Sequence, residues 1–151
     1  MRRLFLAICL LLLLPLAARA DDGLVRKQSA SDVKTTIDRM ESILKERGIG
    51  IVARLDHAAN AKSVGMELRR TELLLFGNPK LGTPVMQAAQ AAAIDLPMKV
   101  VAMQDADGKV WLIYNKPSHM QARHGIAGAD KQLQTMAGAL DKLTDFAVGK
   151  P

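Results

Sequence analysis

Four groups of residues combine side-chain types and spacings that could do chemistry. The first is Asp56-His57, which closes an apolar run. An imidazole there could serve as a metal ligand or a general base. On a regular strand Asp56 would point to the opposite face, so the two would not form an acid–imidazole dyad. The plain alternative is a strand-end histidine hydrogen-bonded to backbone. The second group is Phe76-Gly77-Asn78-Pro79-Lys80-Leu81-Gly82-Thr83-Pro84. A glycine-containing turn entering a helix presents free N–H groups and the positive end of the helix dipole. Lys80 adds a full charge, so a carboxylate, phosphate or other small anion would be accommodated. Gly77 and Gly82 have the spacing of a phosphate loop, but Thr83 follows Gly82 directly, where such a loop carries lysine. A tight strand-to-helix turn needs the same glycines and is the alternative.

The third group is His119, His124 and the methionines Met40, Met66, Met86, Met98, Met103, Met120 and Met136. Imidazole and thioether are ligands suited to Cu(I). Met40 and Met136 fall on apolar helical stripes, however, and read as core. His119 and His124 are five residues apart, on different sides of a helix, and no pair has H-x-x-x-H spacing. His57 and His124 remain as candidate metal ligands, and no cofactor is specified. The fourth group is Asp95 with Tyr114 and Asn115. These flank two strands that a hairpin would join, and the outer ends of such strands are neighbours. The three could form one polar cluster. Alternatively, Asp95 turns the chain and Tyr114 is an amphipathic rim residue.

The elements that must position these groups are legible in outline. Ser31 can cap a helix, with Asp32 in its first turn. Val33, Ile37, Met40 and Leu44 then share one face, and Gly48 ends the helix. Residues 49–55 read as a buried strand, 58–68 as a short helix, and 72–76 as a second apolar strand. Thr83 is expected to cap the next helix, with Pro84 at its first position and the helix running through Ala93. Strands at 97–103 and 109–114 flank the turn Asp105-Ala106-Asp107-Gly108. Residues 117–124 connect to a last helix, capped by Asp130, with Leu133, Met136, Leu140 and Leu143 on its apolar face. Residues 21–30 form an N-terminal segment or edge strand, 31–146 a single domain and 147–151 a tail. The expected architecture is one α+β domain, a mainly antiparallel curved sheet with two longer helices packed on one face.

Composition sets the compartment. The chain has 151 residues, 21 Lys+Arg against 15 Asp+Glu, 49% hydrophobic residues and one Cys. That apolar content excludes a disordered chain, and one cysteine excludes a disulfide scaffold. Arg2 and Arg3 precede an apolar block at 4–16, and Ala18-Arg19-Ala20 fits an A-x-A cleavage site, so residues 1–20 read as a signal peptide. Only 15 residues separate Arg3 from Arg19, short of the ~20 that a span requires. Cleavage would remove Cys9 and three arginines, leaving 18 basic and 15 acidic residues, a net charge of +3. The mature chain is then expected in the periplasm or outside the cell, without a membrane span and without thiol chemistry. Its four aromatics, Phe76, Trp111, Tyr114 and Phe146, are not interleaved with a basic stripe, which argues against nucleic acid.

Several ordered motifs resemble one known family, the domain of unknown function 302. They are Leu55-Asp56-His57-Ala58-Ala59-Asn60-Ala61, Phe76-Gly77-Asn78-Pro79-Lys80, Gly82-Thr83-Pro84, Asp95-Leu96-Pro97 and the stretch from Asp107-Gly108 to Tyr114-Asn115. The resemblance covers roughly residues 31–146. It implies a small α+β domain of TATA-binding-protein-like architecture, often dimeric, and implies almost nothing about activity. His57 and the Asn78-Pro79-Lys80 loop lie in the best-matching segments. Both follow strands, so they could face one cleft.

The expectation is an exported, non-catalytic module for a small anionic ligand or a metal. Its candidate binding residues are His57, Asn78, Lys80, Thr83, Asp95 and Tyr114. The alternatives are a structural or interaction subunit acting as a homodimer, and an enzyme with His57 as general base.

Overall fold

The computed structural model describes residues 22–150, so the segment read as a signal peptide lies outside the described residues. Five strands and five helices are present among them: β1 (Leu24–Ser29), α1 (Val33–Glu46), β2 (Gly50–Asp56), α2 (His57–Ser63), β3 (Thr71–Gly77), α3 (Pro79–Ala88), β4 (Met98–Gln104), β5 (Val110–Asn115), α4 (Pro117–His124) and α5 (Asp130–Val148). A 3-10 turn, Gln90–Ile94, joins α3 to β4. All strands pair antiparallel, in the order β1-β5-β4-β3-β2. The protein is α+β, as the residue pattern and the resemblance both implied.

Strand periodicity decides which face is covered. Burial alternates along β3 and β5, as expected of strands with one face against helices. Leu74, Phe76, Val100, Ala102, Leu112 and Tyr114 point to that face. They meet Ile37, Met40 and Leu44 of α1 and Leu140 and Leu143 of α5. Each fully buried aliphatic side chain contributes about 1.5–3 kcal/mol. A second, smaller cluster links α3, α4 and the first half of α5 through Val85, Met120, Ile126, Leu133 and Met136.

The starts of α1 and α5 differ from the sequence reading. Ser31 was expected to cap α1, but its own N–H donates to Ser29 Oγ. Asp32 is the cap, its Oδ1 accepting the Thr35 N–H at 2.7 Å. The last helix begins at Asp130 with Ala129 as its cap residue, while Asp130 Oδ1 accepts from Gln121 Nε2. That helix runs to Val148, so Ala147 and Val148 are core rather than tail. β2 was expected to be buried, yet none of its residues is, because it is an edge strand with a neighbour on one side only.

Candidate functional site

A cavity of about 490 Å³ opens beside the two apolar clusters, with Met98, which packs against both, in its lining. Phe76, Leu140 and Leu143 of the larger cluster form one wall, and Met136 of the smaller forms another. The start of β2, the end of β3, α3 and the approach to β4 complete the lining. Gly50 pairs with Gly77 across β2 and β3, and both lie in the lining, beside Ile51 and Phe76. The volume falls within the ~300–1,000 Å³ typical of small-molecule sites. Among the described residues no charged side chain lines it; Asn78 and Thr83 supply its polar side chains.

The Asn78-to-Thr83 segment is therefore at the cavity, but not as an anion cradle. The sequence reading placed the helix start at Thr83 and Pro84. In the structure the helix starts five residues earlier, with Asn78 as cap and Pro79 at the first position. Thr83 and Pro84 are inside it. The first-turn amides are consumed. Pro79 has none, Lys80 N–H donates to Asn78 Oδ1 at 3.0 Å, and the N–H groups of Leu81 and Gly82 donate to Asn78 O at 2.9 and 3.0 Å. Lys80 is exposed and does not line the cavity.

His57 does not join this site. β2 and β3 are antiparallel, so the residues that follow them lie at opposite ends of the sheet. Gly50 faces Gly77, while Asp56 faces Glu72. By strand rise the two ends are about 20 Å apart. His57 is also the first residue of α2 rather than a strand residue, and Asp56 caps that helix through Oδ1 on the Ala59 N–H at 2.8 Å. A shared cleft for His57 and Lys80 is excluded by this topology.

The expected cluster of Asp95, Tyr114 and Asn115 divides in two. Asp95 and Asn115 line a recess of about 80 Å³ with Lys116, His119 and Arg123. Asp95 Oδ2 lies 2.6 Å from His124 Nε2, and Oδ1 accepts from Arg123 Nη1 at 3.2 Å. His124 is thus partnered by a carboxylate. Tyr114 faces the helix-covered side instead, as strand alternation requires. Burial pushes its phenol pKa up, against the nearby Lys27 charge and a hydrogen bond with Thr144. Lys27, itself buried, donates from Nζ to Asp141 Oδ1 and Asp145 Oδ1 at 2.7 and 2.9 Å. Among the described residues no three His, Cys, Asp or Glu side chains gather into a metal-binding group.

The apolar lining enters the sequence reading only in other roles: Met86 and Met98 as thioether candidates, Leu96 within a motif, and Leu140 and Leu143 on the apolar face of the last helix. Met136 was read as core, and it is both core and lining. Their spacing signals an apolar face, but nothing in one sequence says that two such faces leave a gap.

Comparison with known proteins gives the domain its relatives. Fluoride-specific ion channel FluC 1 of Brucella suis biovar 1 (strain 1330) is 38% identical over 136 residues, covering 89% of this chain and 54% of the relative. The protein of the same name from Brucella abortus biovar 1 (strain 9-941) is also 38% identical, with 89% and 50% covered. The chain thus spans about half the length of these curated relatives. Among the described residues no helix is long and apolar enough to cross a membrane. A crystal structure of an uncharacterized conserved DUF302 protein from Bacillus stearothermophilus superposes with a TM-score of 0.75 at 18% identity, covering 84% of this chain and 99% of that one. That likeness carries the fold. Residues 25–143 match the family described as Domain of unknown function DUF302, and the chain belongs to that family.

Proposed function

We propose that the protein is an exported, non-catalytic binding module that holds a small, largely apolar molecule in the cavity between α3, α5 and the sheet end. The cavity itself carries this reading: it has ligand-sized volume and an uncharged lining. Spent amides at the start of α3 support an uncharged occupant over the small anion that the loop suggested. Export rests on the pattern of residues 1–20. The test is titration with the neutral fluorophore N-phenyl-1-naphthylamine. Emission should rise and saturate near one probe per chain, and Ala139→Trp, which puts an indole at a lining position of α5, should remove the rise. A flat titration of the wild type would overturn the reading.

The similarity to proteins named fluoride channels favours a second reading, in which this domain works beside such a channel. The matched half would then be a part that does not itself cross the membrane. Deleting the gene should shift the fluoride concentration that arrests growth. An unchanged tolerance curve would remove this reading.

A further inference from the structure

We propose that the occupant is a single flexible hydrocarbon chain, an acyl or alkyl tail bearing an uncharged polar junction. This rests on the binding-module reading and narrows it. Among the described residues the interior offers no partner for a charge, and burying an unpaired ionised group is too costly. Among the described residues Phe76 is the one aromatic in the lining and is already packed in the core at 4% exposure, so it offers no stacking platform to a planar ring. Three methionines, Met86, Met98 and Met136, line the space instead. Thioether side chains adapt to an irregular, mobile occupant.

Exposed apolar side chains stand at or next to the lining. Val52, in its lining, is 64% exposed, and Ile94, beside the lining residue Ala93, is 72% exposed. At the α3 wall, the Asn78 amide nitrogen and the Thr83 hydroxyl make no hydrogen bond among the described residues. Both can bond a hydroxyl or an ester oxygen without any charge. The chain could be free or could be the acyl tail of a membrane lipid, and the chemistry recognised is the same.

The experiment uses the purified protein, stripped of bound lipid, and 1-dodecanol as the probe. Calorimetry should find one dodecanol per chain. Ala139→Trp and Gly82→Leu should each weaken binding at least tenfold, the second being a mild substitution because an added Cβ at Gly82 would meet only Leu96 Cδ1, at 3.7 Å. Native mass spectrometry after incubation with phosphatidylcholine vesicles separates the sources. A retained phospholipid mass supports a membrane lipid tail, and retention of dodecanol alone supports a free chain. Absence of dodecanol binding, or equal binding by both folded variants, overturns the proposal. If N-phenyl-1-naphthylamine still binds in that case, the hydrocarbon-chain class alone fails. If neither binds, the module reading fails with it.

Discussion

Asp105 organises the β4–β5 turn with a single carboxylate. Its Oδ1 accepts the N–H groups of Asp107 and Lys109, both at 2.9 Å, and its Oδ2 accepts from Trp111 Nε1 at 2.7 Å. The indole bond, foremost, holds its pKa below the ordinary aspartate value; burial opposes it, and the two amide bonds add to the lowering. A depressed carboxyl contributes stability above its unfolded pKa and loses it as pH falls through the folded value. Trp111 is the chain's one tryptophan, so it reports this step directly. We expect an acid titration of its emission to show a transition centred below the ordinary aspartate pKa. In Asp105→Asn that transition should vanish, and a transition unchanged by the substitution would assign it elsewhere.

At the scale of elements, the start of α3 decides what the loop can do. A cap must leave the helix itself and turn its side chain back to the first amides. Asn78 does so, and Thr83 is already five residues into the helix. Pro84 lies inside too, where its missing N–H leaves one bond of the ladder unmade. Asn78→Ala should therefore lower stability by about 0.5–2 kcal/mol. Thr83→Ala, at an exposed helical position, should cost no more than about 0.5 kcal/mol. Urea unfolding of the two variants checks the difference. Equal losses, or a larger loss at Thr83, would return the helix start to Thr83.

For the molecule as a whole, the sheet and helices enclose one well-filled core and one imperfectly filled space beside it. Leu112 is fully buried between sheet and helices. Met86 is half-buried on the cavity wall. Leu112→Ala should cost about 2–5 kcal/mol, since it opens a new void in a filled core. Met86→Ala should cost roughly 1 kcal/mol, because the side chain already borders empty space and loses fewer contacts. Thermal or urea unfolding reads both. A Met86→Ala loss as large as that of Leu112→Ala would mean that the cavity is closed in solution.

What the chain determines alone is what short-range chemistry dictates. The 3.6-residue stripe of Val33, Ile37, Met40 and Leu44, the apolar runs of β3, β4 and β5, and the Asp105–Gly108 turn all read correctly, because each depends on neighbours within a few residues. The ordered motifs also carried the family. Choices between adjacent candidates were less legible. Ser31 and Asp32, or Asn78 and Thr83, can each cap, and the winner is the one whose side chain actually reaches an amide. The site itself depended on pairing. Antiparallel β2 and β3 send His57 and Asn78 to opposite ends of the sheet, and set Gly50 against Gly77. Strand alternation parts Tyr114 from Asn115 and leaves Asp95 to His124. Register and the distance between two packed clusters are long-range quantities, so the cavity and the neutrality of its lining existed only once the tertiary structure had formed.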